Sequence, residues 1–251
     1  MIEWPEALVR EIADRRVLLF VGAGISKTAH GAMPTWSELL KRLSEKLEKR
    51  VDRDLVSKLV NKDQLLDAAQ IVTDGINRAD LNAELRRVFQ IRPSPHHDIY
   101  QELLSLDLKT VVTTNYDEFL ERNFDHFSGG VAAYNVCKYT SRDLLDQVRS
   151  PQRTIVKIHG CVTEPNDIVL DRMSYFNARQ ENHGFFNVIS SLFTTHTVFF
   201  IGYSLGDPDL QIILENIHGA TNANHGHYCL LTKMDHRSMV SAIKKSYRAP
   251  R

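Results

Sequence analysis

Six short apolar runs limit how this chain can fold: VLLFVG (17–22), TVVTTN (110–115), TIVKIHG (154–160), DIVLD (167–171), TVFFIGYS (197–204) and HYCLLTK (227–233). Within most of them, apolar side chains follow one another instead of alternating with polar ones. A strand of that kind has to be covered on both faces, the condition of a parallel sheet layered between helices. Amphipathic stretches such as PTWSELLKRLSEKLEKR (34–50) and DPDLQIILENIH (207–218) supply the cover. The alternation predicts an α/β fold with a doubly wound, mostly parallel sheet. Residues 23–109 separate the first run from the second, far more than the dozen or so that a parallel crossover needs. Helical periodicity at NKDQLLDAAQIVTDG and ADLNAELRRVFQ places a helical insertion there, over about 28–105, within a single domain spanning 1–251.

Composition narrows the function classes. Apolar residues make up 43% and charged residues 25%, enough for a real core and too apolar for disorder. Lys plus Arg and Asp plus Glu both number 31. With no basic excess, direct nucleic-acid binding is not expected. Cys137, Cys161 and Cys229 are far apart and never form C-x-x-C. That argues against a disulfide framework, and a four-cysteine zinc site cannot be built within the chain. The opening MIEWPEALVREIADRR lacks a signal-peptide core, and no apolar run approaches the roughly 18 residues of a membrane span. A soluble, cytoplasmic protein with no membrane association is expected.

In an open parallel sheet, ligands bind beyond the carboxyl ends of the strands, and four of the runs end in polar or glycine-rich segments. The first ends in GAGIS, where Gly22 and Gly24 leave backbone bare and the amides of the turn could meet an anion. A tight strand-to-helix turn that binds nothing reads equally well there, because the third glycine of a dinucleotide fingerprint and the Lys-Ser/Thr of a P-loop are both missing. TTNYD carries Asn115 and Asp117, which either cap the next helix or leave one side chain facing a cleft. KIHG carries His159, which is either structural or a base, since an ordinary imidazole titrates near neutrality. IGYSLGDPDL carries Gly202, Tyr203, Ser204 and Asp207, with Pro208 early in a helix. His96, His97 and the His225–His227 segment lack partners at metal spacing and read as loop residues.

Taken in order, GAGIS, TTNYD, KIHG and GYSLGDPDL resemble the sirtuin-like domains of bacterial antiviral defence proteins, over roughly residues 17 to 233. The similarity is to the NAD-hydrolysing members, such as Thoeris-type effectors, more than to deacylating sirtuins. Deacylating sirtuins carry two C-x-x-C pairs after His-Gly, where this chain has only Cys161. They also carry Gly-Ile-Pro-Asp-Phe-Arg where this chain reads AMPTW, from Ala32 to Trp36. The resemblance implies a Rossmann-like fold and cleavage of NAD to nicotinamide and an ADP-ribose product through an oxocarbenium-like state. Nicotinamide leaves as a neutral molecule from a cationic ring nitrogen, so no metal is needed. His159 would act as general base, Asn115 would orient water or ribose, and Asp117 would support the nicotinamide-ribose pocket. Gly22, Ala23, Gly24, Ile25 and Ser26 would cradle the diphosphate. Gly202, Tyr203, Ser204 and Asp207 would hold phosphate and the adenosine ribose, and Trp36 would wall the nicotinamide side. Such an activity implies gating by a homo-oligomer, a partner defence protein or a nucleotide signal, with the helical insertion and the helix MDHRSMVSAIKKSYR as docking surfaces. Two other readings remain open: an NAD-dependent protein deacylase, and a non-catalytic sensor of NAD or ADP-ribose-type nucleotides.

Overall fold

A computed structural model of the protein describes residues 3–92, 96–203 and 226–230. Its sheet has six strands: β1 (Val17–Val21), β2 (Thr110–Thr113), β3 (Asn135–Lys138), β4 (Thr154–Lys157), β5 (Thr197–Ile201) and β6 (Tyr228–Leu230). Their order is β3-β4-β2-β1-β5-β6 and every pairing is parallel. Direction changes at β1, with β2 on one side and β5 on the other, so the crevice at its carboxyl end is a topological switch point.

Both faces of the sheet are buried, which explains the unbroken apolar runs. Val17, Leu19 and Val21 point into one core with Val111, Ile155 and Phe199. Leu18 and Phe20 point into the other with Val112, Val156, Val198 and Phe200. Phe20 is fully buried, with Phe200, Phe193 and Tyr203 rings at 5.2, 6.0 and 4.9 Å.

Helix α1 (Glu6–Ala13) precedes β1, and six helices fill the long connection to β2. They are α2 (Ala23–Ala29), α3 (Trp36–Ser44), α4 (Arg50–Asn61), α5 (Leu65–Gly75), α6 (Arg78–Phe89) and α7 (Asp98–Ser105). The stretch 34–50 therefore yields α3 and a turn, with α4 starting at its end. Thr35 and Glu38 open α3 with a reciprocal capping box. The turn after it buries Leu47, for which Gly75 leaves room: a Cβ there would stand 2.4 Å from the leucine methyl. The remaining helices among the described residues are α8 (Phe119–Phe127), α9 (Leu144–Arg149), α10 (Arg172–Glu181) and α11 (His183–Thr195). Helices α5 and α6 reach across to the segment after β4: Asp67 pairs with Arg172 at 2.6 Å, and Asn82 donates to Asn166 at 2.6 Å.

Two strand expectations need correction. DIVLD (167–171) is the end of a short 3₁₀ turn, Pro165–Asp167, followed by extended chain outside the ladder. Ile168, Val169 and Leu170 are buried, which is why they read as a strand. The edge strand β3 went unread because only Cys137 of its four residues is buried. Ser204, Asp207, the 207–218 stretch and the segment MDHRSMVSAIKKSYR lie outside the described residues.

Candidate active site

The registers bring all four strand endings level at one edge. Val21 pairs with Thr113, and Thr113 with Lys157. Asn115 and His159 therefore each lie two residues beyond partnered positions on adjacent strands. On the other flank Val21 pairs with Ile201, so Gly22 and Gly202 follow side by side.

The glycines serve that second junction. A Cβ on Gly22 would lie 2.5 Å from the Gly202 carbonyl oxygen, and one on Gly24 would lie 2.8 Å from the same atom. Gly202 itself has φ +64, the left-handed region, and its own Cβ would meet Ile25 at 2.7 Å. The Gly22 amide donates to Ile201 O at 3.0 Å and the Gly24 amide to Gly202 O at 2.8 Å. The sequence leaves the bare backbone at 22 and 24 open between an approaching anion and a tight strand-to-helix turn. In the structure that backbone admits the loop after β5, and three of the amides expected in a diphosphate cradle, those of Gly22, Gly24 and Ile25, are bonded within the protein.

Behind this junction lies a buried polar cluster. Asn115 Nδ2 donates to Gly22 O at 3.2 Å and to Ser26 Oγ at 3.0 Å. Ser26 Oγ in turn donates to Asp117 Oδ2 at 2.8 Å. Asp117 Oδ1 accepts the Phe119 amide at 3.0 Å, so Asp117 serves both the helix start and the cluster. Asn115 is 6% exposed, and its Oδ1 is buried without a hydrogen-bond partner among the described residues. Burial raises the Asp117 pKa above the ordinary carboxylate value, against the opposing pull of the Lys157 charge and of the hydrogen bonds it accepts. Tyr100, fully buried, faces the same cluster; burial, reinforced by the Asp117 charge, pushes its phenol well above the usual range.

His159 is 2% exposed. Its carbonyl accepts the Val169 amide at 3.1 Å, and Gly160 turns the chain at φ +81. The Asp167 carbonyl lies where a Cβ on Gly160 would be, at 2.4 Å. The His159 ring meets the edge of Tyr175 at 4.9 Å, and Tyr175 stacks on Trp36 at 6.2 Å. Trp36 at the start of α3, Tyr175 on α10 and His159 after β4 thus form a continuous aromatic wall. Tyr203 packs on Phe20 instead. His97 caps α7, His96 stacks on His126 at 3.7 Å, and His227 accepts the Val198 amide at 3.1 Å.

A profile of the SIR2-like domain matches residues 109–249, more than half of the chain. The chain belongs to the SIR2-like domain family. Curated relatives carry defence-related and NAD-related names. A protein of Acinetobacter baumannii named NAD(+) hydrolase ThsA is 28% identical over 92% of this chain and 45% of its own. One of the same name from Bacillus cereus is 25% identical over 91% and 45%. Defense-associated sirtuin 2 of Bacillus subtilis is 25% identical over 85% of this chain and 20% of its own. The SIR2-like chain described here thus spans less than half the length of these relatives.

Sequence reasoning missed Tyr175, Tyr100 and the pair Lys157–Glu121, whose ammonium and carboxylate lie 2.8 Å apart. Only Lys157 left a trace, as a lone charge inside the apolar run TIVKI. The two tyrosines reach the site from distant helices and carry no local signal. Among the described residues no group of three His, Cys, Asp or Glu side chains is placed to hold a metal, and no helix is long and apolar enough to cross a membrane.

Proposed function

We propose that this SIR2-like domain hydrolyses NAD+ at the nicotinamide–ribose bond, giving nicotinamide and ADP-ribose. One observation carries the reading: the buried Asn115 amide is pinned through its nitrogen to Gly22 O and Ser26 Oγ, and its oxygen at the strand end has no hydrogen-bond partner among the described residues. A rigid acceptor of that kind suits a ribose hydroxyl or a bound water, and an orphaned buried acceptor costs about 1–3 kcal/mol until one arrives. The names of the relatives support NAD as the substrate.

In this reading each residue has a role. Asn115 orients the nicotinamide ribose or the attacking water. His159, two residues past the neighbouring strand, takes the proton as water adds to the oxocarbenium-like carbon. Asp117 acts through Ser26 and does not itself touch substrate. Trp36 and Tyr175 wall the nicotinamide side. With the Gly22, Gly24 and Ile25 amides engaged, the diphosphate is assigned to the backbone around Ala23, and the adenosine side to Ser204 and Asp207, which lie outside the described residues. Because His159 is nearly buried, the dinucleotide enters only when the ring wall moves. That requirement suits a cytoplasmic defence effector held in check by self-association, a partner protein or a nucleotide signal.

The test is nicotinamide release from NAD+ at high protein concentration, comparing the parent with Asn115→Ala and His159→Ala. Each substitution is expected to lower the rate by about 10²–10⁴-fold. Equal rates in all three proteins would reject the assignment. Formation of O-acetyl-ADP-ribose from an acetylated peptide would point to deacylation instead.

A further inference from the structure

Lys157 is the most deeply buried charge among the described residues that the proposed chemistry leaves unused. It ends β4, is 1% exposed, and lies two residues before His159. Its Nζ donates to the Asp117 carbonyl at 2.5 Å and to Glu121 Oε1 at 2.8 Å. Those two acceptors sit at opposite ends of the link between Asp117 and the first turn of α8. The Asp117 carboxylate meanwhile holds Ser26, and Ser26 holds the Asn115 amide. One ammonium thus ties β4 to the segment that places Asn115.

We propose that Lys157 is a positioning residue: through the Asp117 carbonyl and Glu121 it fixes the 115–121 segment, and with it the orientation of the Asn115 amide toward substrate. This inference rests on the NAD-hydrolysis reading for its functional consequence, not for the tie itself. Burial, the largest single influence, pulls the Lys157 pKa down, but the surrounding groups, the Glu121 charge foremost, together outweigh it and hold it up at about 12. The ammonium therefore stays protonated at neutral pH and keeps its donors on both acceptors. A lysine retained only to balance Glu121 would be replaceable, together with its partner, by neutral side chains of similar size. A positioning lysine would not.

The double variant Lys157→Met/Glu121→Gln separates the two roles, because it removes both charges and leaves neither stranded. Two readouts are taken on it. The first is hydrogen exchange of the Phe119 amide, which donates to Asp117 Oδ1 and reports where Asp117 sits. It is expected to accelerate by at least about tenfold while β5 amides keep the parent rate. The second is nicotinamide release, with kcat falling about 30-fold or more and KM staying within about threefold, the pattern of an interaction made in the transition state. Exchange at the parent rate overturns the positioning role, as does faster exchange accompanied by the parent kcat. Glu121→Gln alone leaves Lys157 on the Asp117 carbonyl and should keep Phe119 exchange within about threefold of the parent. Loss of protection equal to that of the double variant would contradict the proposal, and this arm stands even where the double variant fails to fold. A parent that releases no nicotinamide counts against the NAD-hydrolysis reading, while the exchange results still decide the tie.

Discussion

Replacing Gly22 by alanine probes the close approach of the β1 and β5 loops. The backbone at Gly22 is extended, φ −104 and ψ 177, so alanine meets no torsional objection. The objection is contact: the new methyl would stand 2.5 Å from Gly202 O and 2.8 Å from both Tyr203 Cα and the Tyr203 ring. An ordinary C···O contact is about 3.3 Å or more, so the loops must separate by about 0.8 Å. The bonds from Gly22 N to Ile201 O, at 3.0 Å, and from Asn115 Nδ2 to Gly22 O, at 3.2 Å, would both lengthen. Overpacking of this kind costs about 1–3 kcal/mol and a weakened hydrogen bond about 1 kcal/mol. Alanine returns about 0.4–1 kcal/mol through the unfolded chain. The net expectation is a loss of about 2 kcal/mol, or about 4–8 °C in melting temperature for a chain of this size. Gly31→Ala is the control, since nothing lies within 4 Å of its added carbon. Thermal melts of the two variants decide the matter. A Gly22→Ala protein melting within about 1 °C of Gly31→Ala would refute the packing role and restore the reading in which the bare backbone awaits a ligand.

Two further substitutions address the scaffold. Phe20→Ala empties a fully buried site between three aromatic rings and should cost about 3–5 kcal/mol in urea unfolding. A loss below about 1 kcal/mol would mean that the second core is not packed as described. Glu38→Gln tests the start of α3 by pH. The Lys27 ammonium, followed by the Thr35 amide, lowers the Glu38 pKa from 4.5 to about 2. A depressed carboxylate stabilises the fold above its ordinary pKa and loses that contribution as pH falls toward about 2. Because the side chain is half exposed, the gap between parent and variant at pH 7 should stay below about 1 kcal/mol. It should close between pH 4.5 and about 2, and a gap that widens on acidification would contradict the pairing.

What the sequence revealed, and what it hid, follow from burial and from chain distance. β1, β2, β4 and β5 were legible because each is buried on both faces and reads as an unbroken apolar run. β3 was hidden because an edge strand with one buried residue has no pattern. DIVLD was misleading because burial without ladder bonds produces the same composition as a strand. Asn115 and His159 stood out as polar residues directly after apolar strands, and the registers bring them level. The glycines were legible as bare backbone, but what approaches them was not: Gly202 is remote in the chain, so no local pattern names it as their neighbour. Ser26 reads as part of a loop motif, yet its hydroxyl is taken up inside the protein by Asn115 and Asp117. Tyr175 and the Asp117 tie to Lys157 exist only once β2, β4 and α10 have assembled.

The central claim is that one dinucleotide sits against Asn115 and His159 at adjacent strand ends. The most direct measurement is a crystal structure of the Asn115→Ala protein soaked with NAD+, in which slowed cleavage leaves the substrate intact. Density for the nicotinamide ribose between residue 115 and the His159 ring, with the pyridine ring against Trp36 or Tyr175, is the predicted result. Dinucleotide bound elsewhere, with His159 still closed behind Tyr175, would contradict it.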